Sequence, residues 1–102
     1  MIKKVFISQP MNGKTDEEIL ARREELKQRA YQYYSHQDDV EIEFIDSFIE
    51  GAPAYANPIW YLGESIKKMS EADLIVFDHE WVGARGCRIE RAVMKEYDID
   101  FC

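Results

Sequence analysis

The chain predicts an α/β layered fold with a parallel sheet of about four strands. Three observations carry this. Short apolar, β-branched runs alternate with longer segments of helical spacing, two of those segments open on recognisable caps, and the most apolar run, Asp73 to Asp78, reads as a strand buried on both faces. The order of elements is βαβαβαβ, and right-handed crossovers leave few topologies for it, of which strand order 2-1-3-4 is the expected one.

Lys4 to Ser8 is a first strand, and the turn formers Pro10, Asn12 and Gly13 follow it. Thr15 with Glu18 three residues on is a capping box, and Asp16, Glu17 and Glu18 suit the positive end of a helix dipole, so a helix starts at about Asp16. Ile19, Leu26, Ala30 and Tyr33 recur on one stripe of it, and it ends near Ser35-His36. Val40 to Ile45 alternates apolar residues with Glu41 and Glu43, the pattern of an edge strand with one wet face. Asp46 to Asn57 is long enough for a functional loop. Asn57-Pro58 then begins a second helix, with Ile59, Leu62, Ile66 and Met69 at spacings of three and four. Asp73 to Asp78 is expected as the central strand. Beyond Gly83 and Gly86, Ile89, Val93 and Tyr97 lie four apart and predict a third helix with Ile89 and Val93 on its core side, and Ile99 to Cys102 is expected as a final short strand.

With 102 residues, 46% of them hydrophobic, the chain reads as one domain over 1–102, with no internal repeat or linker. Its longest apolar runs are far short of the roughly 20 residues of a membrane span, and the N-terminus reads as a strand rather than a secretory signal, so no membrane association and a cytoplasmic location are expected. The formal net charge of −7 argues against duplex nucleic acid as a partner, because counterion release needs clustered positive charge. Cys87 and Cys102 match no metal spacing and are expected as free thiols.

In the expected order the first and third strands are neighbours whose connections leave in opposite directions, and a crevice opens beyond their carboxyl ends. Two segments meet there, Ser8 to Lys14 and Asp78 to Glu90, each leading into a helix N-terminus that attracts anions. Ser8, Asn12, Lys14, Arg85 and Arg88 add donors for a phosphate or carboxylate; the plainer reading of these residues is turn chemistry and solvated charge. Glu90, on the border of the apolar stripe of the third helix and kept ionised by the helix end, is a candidate nucleophile at a sugar carbon or partner of an oxocarbenium-like transition state. Its plainer reading is an acid that stabilises its own helix.

The first strand ending in a polar turn, the run Ala72-Asp73-Leu74-Ile75-Val76-Phe77 and the helix opening Gly86-Cys87-Arg88-Ile89-Glu90 resemble the nucleoside 2-deoxyribosyltransferase-like family over most of the chain. The opening Phe6 to Ile19 is more similar still to a group of small bacterial and phage proteins. The resemblance implies a flavodoxin-like three-layer fold, no cofactor, a homo-oligomer that completes its sites between chains, and cleavage or exchange of the N-glycosidic bond of a nucleoside or nucleotide. It assigns the catalytic glutamate to Glu90. Phe6 stands where family enzymes often carry a tyrosine that orients this glutamate, and Ala84 and Arg85 stand where the transferases hold the nucleoside with an acid. Arginines reward a negative charge that a free nucleoside lacks, so a 5'-phosphorylated nucleoside is the expected small-molecule partner.

Asp78 is expected as the acid that protonates the departing base, with Glu80 and Glu64 behind it, and Ser8, Gln9, Met11, Asn12, Gly13, Trp81, Arg85, Gly86 and Arg88 as substrate-binding residues. Trp81 and Tyr55 are candidates to stack on a base, or else surface packing residues. His79 with Asp78 and Glu80 lacks a second histidine, so no metal is expected. Cys87, at a helix start beside Arg85 and Arg88, is expected to have a lowered pKa, although a small core residue is the simpler reading. The rival functions are a non-catalytic nucleotide-binding protein and, behind it, an interaction protein whose aromatics form a partner surface.

Overall fold

Strand β1 (Ile2–Ser8) carries the sheet, because its last four residues are apolar or small enough to be buried on both faces. It pairs in parallel with β2 (Glu41–Phe44) on one side, from Ile2 opposite Glu41 to Val5 opposite Phe44. On the other side it pairs in parallel with β3 (Leu74–Phe77), from Val5 opposite Leu74 to Ser8 opposite Phe77. The order is β2-β1-β3, in a computed structural model that describes residues 1–47 and 49–102. The two pairings are staggered, so Val5 alone has a strand partner on both sides. Beyond Val5 the β2 side is left to the chain that follows it, whose Ile45 N–H donates to the Val5 carbonyl at 2.8 Å.

Helix α1 (Asp16–Tyr33) lies on one face of the sheet, and α2 (Pro58–Met69) and α3 (Arg85–Glu96) lie on the other. Leu26, Ala30 and Tyr34 pack against Val5, Ile7, Leu74 and Val76; Met69 and Met94 pack against Phe6, Ile75 and Phe77. Alternation along each strand sends neighbours to opposite layers. The crossover from β1 through α1 to β2 and that from β2 through α2 to β3 run in opposite directions across the sheet, and their common right-handedness puts α1 and α2 on opposite faces. The result is a three-layer α/β arrangement with a parallel sheet, compatible with a flavodoxin-like layout.

Local chemistry sets the helix starts. Thr15 and Glu18 form the full capping box, each side chain accepting from the other's backbone N–H. Asn57 Oδ1 accepts from the Trp60 N–H at 2.9 Å, with Pro58 in the first turn. No side chain caps α3.

Four expectations need correction. The segment expected as a fourth strand makes one parallel bridge, Ile75 with Phe101, because the chain turns at Asp98 (φ 53°) and leaves only a few residues alongside β3. β1, not β3, is therefore the middle strand, although this terminal segment covers the outer edge of β3 and keeps it buried. Helix α1 stops at Tyr33, and Tyr34 rather than Tyr33 enters the core, since the turn after the helix swings the next ring inward. On α3 the inward residues are Cys87, Glu90 and Met94, whereas Ile89 is 39% exposed and Tyr97 lies beyond the helix in solvent.

Thr15→Ala removes one half of the capping box. It is expected to lower unfolding free energy by about 1 kcal/mol in urea titration, with Thr15→Ser restoring most of it.

Candidate functional site

A cavity of about 560 Å³ opens at the carboxyl end of β1, on the side toward the chain that follows β2. Its floor is the end of β1, where Phe6, Ile7 and Ser8 have no β2 partner, and one wall is the first turns of α3. The loop after β1 contributes Gln9, Met11 and Asn12, and the start of α3 contributes Arg85, Gly86, Cys87, Arg88 and Glu90. Met11, Asn12, Gly13 and Lys14 form a tight turn closed by the Lys14 N–H on the Met11 carbonyl at 3.2 Å. Gly13 sits at φ +76°, which a side chain would strain; it shapes the turn and does not line the cavity.

Glu90 is the chemical centre of this cavity. It is 8% exposed, and its Oε2 accepts a 2.7 Å hydrogen bond from the Ser8 hydroxyl, also buried. Phe6 and Ser8 point to the same side of β1, so the strand that presents a ring at one position presents a hydroxyl two residues on. Burial pushes the Glu90 carboxyl above its usual range, and the Ser8 hydrogen bond pulls partly back. This corrects the expectation that the helix end holds it ionised: Glu90 is the sixth residue of α3, and the dipole's influence fades within the first turn. A carboxylate in this position replaces an apolar residue in the buried stripe, so apolar spacing alone points to a different face of the third helix.

Cys87, one turn before Glu90, also departs from expectation. Burial raises its thiol pKa, the negative charges of Glu90 and Asp78 raise it further, and only the Ser8 hydroxyl opposes them. The thiol is therefore a weak nucleophile at neutral pH.

Asp78 does not line the cavity. It is 1% exposed at the end of β3, where Oδ1 accepts from Arg22 Nη1 at 3.1 Å and from the Glu80 N–H at 2.9 Å. Both contacts engage this carboxylate outside the cavity, out of reach of a departing base there. The same Arg22 lies 3.0 Å from His79 Nε2, which accounts for His79 without a metal. Glu80 pairs with Lys14 at 3.7 Å and Glu64 with Lys67 at 3.0 Å, both outside the cavity lining. Trp81 is turned away, with the Arg91 guanidinium 4.4 Å from its ring centre, and Tyr55 is 80% exposed with no place in the cavity.

Two lining residues were not anticipated, Ser47 after β2 and Ser65 on α2. Ser65 was findable, since it lies three residues after Leu62 and four before Met69 on the inward side of its helix. Ser47 owes its place to the stagger of β2, which no local pattern announces.

The cavity thus joins an apolar and hydroxyl-bearing floor, one buried carboxylate, and a rim on which Arg85 and the Arg88 guanidinium stand. Arg88 is braced on the Val82 carbonyl at 2.7 Å, and the uncapped N–H groups of the first turn of α3 open on the same rim. That combination suits a ligand with a neutral body and an anionic end. Comparison with protein-family models, with curated proteins and with solved structures finds no match. Among the described residues no helix is long and apolar enough to cross a membrane.

Because the folded pKa of Glu90 lies above its unfolded value, proton binding favours the folded state, and that stabilisation is lost as pH rises through the raised pKa. Glu90→Gln, which keeps the shape without the charge, is expected to be more stable than the parent near pH 8, with the difference shrinking toward pH 4 in thermal unfolding.

Proposed function

We propose that the cavity binds a nucleoside or nucleotide, with a 5'-phosphorylated nucleoside favoured, and that Glu90 acts at the anomeric carbon to cleave or exchange the N-glycosidic bond. The observation that carries this reading is the buried Glu90 carboxylate held by the Ser8 hydroxyl at the bottom of a ligand-sized cavity. The resemblance to the nucleoside 2-deoxyribosyltransferase-like family and its flavodoxin-like fold adds to it, and Ser8 offers the glutamate the hydroxyl that Phe6 lacks.

In this mechanism the sugar lies over the β1 floor and the phosphate meets Arg85, Arg88 and the start of α3. The ionised Glu90 oxygen forms a bond to the anomeric carbon as the bond to the base nitrogen breaks, and that electron pair leaves with the base, which takes a proton from water. Water then hydrolyses the glycosyl ester, or a second base replaces the water. Asp78 is tied to Arg22 and takes no part as the acid. No cofactor is needed.

The site is open along the α2 side, where Ile59 and Ile89 leave apolar surface exposed beside Arg85 and Gly86. A homo-oligomer covering that side belongs to the same proposal, and a cytoplasmic location fits it. The second reading, a nucleotide-binding protein without turnover, is favoured by the raised pKa of Glu90, which makes it a less available anion.

The deciding measurement is base release from 2'-deoxynucleosides, ribonucleosides and their 5'-monophosphates, followed by chromatography. Release by the parent and loss of about a hundredfold or more in Glu90→Ala is the expected outcome; intact ligand that nevertheless binds by calorimetry supports the second reading.

A further expectation concerns pH. Activity needs ionised Glu90, so its acidic limb should lie above that of a free glutamate. Ser8→Ala, which deletes the hydrogen bond favouring the anion, should move the limb to still higher pH in a rate profile.

A further inference from the structure

A second recess, of about 420 Å³, lies at the carboxyl end of β3 on the side away from β1. Its walls come from four separate parts of the chain: Arg29 of α1, His79 and Trp81 after β3, Arg91 of α3, and the terminal Cys102. Two guanidinium groups therefore converge on one small space. Among the described residues neither has a carboxylate within ion-pairing distance.

Each guanidinium is fixed from behind. Arg91 is stacked among three rings, 4.4 Å from the centre of Trp81, 4.7 Å from Phe101 and 5.6 Å from Phe77. Stacking occupies the faces of the group and leaves its in-plane N–H donors for an acceptor. Its Nε is buried and has no hydrogen-bond partner. Arg29 donates one N–H to the Phe77 carbonyl and also contacts the Cys102 thiol, which together anchor it at the strand end; a guanidinium has five N–H donors, so some remain. Two anchored guanidinium-bearing side chains lining one recess supply the charge and the fork geometry that match the oxygens of a tetrahedral oxyanion.

We infer that Arg29 and Arg91 form a phosphate-binding site at the outer end of β3, with Trp81 and His79 beside it and room for the organic part of a phosphate ester. Glu90 leaves α3 toward Ser8 on β1, while its neighbour Arg91 leaves toward Phe77 and Phe101. The two sites are back to back across the same helix, and this one stands whether or not Glu90 breaks a glycosidic bond.

The test is a titration of the protein with inorganic phosphate, sodium acetate and sodium chloride at matched ionic strength, read by NMR. Of the two tryptophans, Trp60→Phe leaves Trp81 as the one indole N–H signal. A saturable shift of that signal with phosphate, absent with chloride and weaker with acetate, is expected. The half-saturation should rise about tenfold in Arg91→Lys, which keeps the charge and loses the fork, and in Arg29→Gln, and should be unchanged in Glu90→Gln. No saturable shift, an equal response to acetate, or a response indifferent to both arginine substitutions overturns the site. Should either variant fail to fold, the titration of the Trp60→Phe protein still decides it, because a flat response there is sufficient refutation.

Discussion

The staggered pairing of β1 is the constraint on which the rest of the molecule depends. β2 supports the first half of the strand and β3 the second, so the strand ends between a partner on one side and open space on the other. The open side becomes the floor of the larger cavity, reached by Ser47 and Ser65. The paired side carries β3 far enough that its last residue stands opposite Ser8. From there Asp78 turns the chain into α3, its N–H donating to the Ser8 carbonyl at 2.9 Å and its side chain locked to Arg22. The approach of Glu90 to Ser8 is the product of that geometry, since two residues 82 positions apart meet only because the strand ends are level.

The electrostatics of the cavity are decided by burial more than by the helix it borders. A dipole favours anions by a few tenths to about 1 kcal/mol at a helix end and fades beyond the first turn, whereas desolvation of a carboxyl among packed side chains acts with much greater force. Glu90 lies far enough into α3 and deep enough in the core for the second effect to win. Cys87 shows the same outcome, with its position near the helix start overruled by burial and by the neighbouring carboxylates. Asp78, by contrast, lies outside the cavity with Arg22 against it.

Local signals in the sequence were legible and largely right. The Thr15–Glu18 box and the Asn57-Pro58 start depend on residues a few positions apart, and both helices begin where those residues put them. The wet face of β2 also followed, because alternation is a property of a short segment, whereas the cavity opens between the end of β1 and α3 with no β3 residue in its lining. What could not be read depends on distant partners. Arg22 with Asp78 is a pair 56 positions apart, and nothing in either segment marks the other. Of the stripe Ile89, Val93 and Tyr97 only Val93 packs, half-buried, against the core; the face that meets the sheet is the one carrying Cys87, Glu90 and Met94. Hydrophobicity misleads where a charged side chain is buried for a purpose other than packing. The expected last strand is present only as a bridge: after the turn at Asp98 the segment runs beside β3 with Phe101 opposite Ile75.

The two margins of the sheet are protected in different ways. Beside β3 the terminal segment occupies the backbone groups of Ile75 and Phe77. Beside β2 the described residues provide no such cover: Glu41 and Ile45 donate toward β1, so the alternate residues Ile42 and Phe44 turn their backbone N–H and C=O groups outward. A strand from another molecule could template on such a margin. The brevity of β2 and the two outward glutamates, Glu41 and Glu43, oppose this, since a second copy in register would stack like charge on like charge along the seam. The alternating acids that mark this segment as a half-exposed strand therefore also act as a guard against fibril growth from the edge.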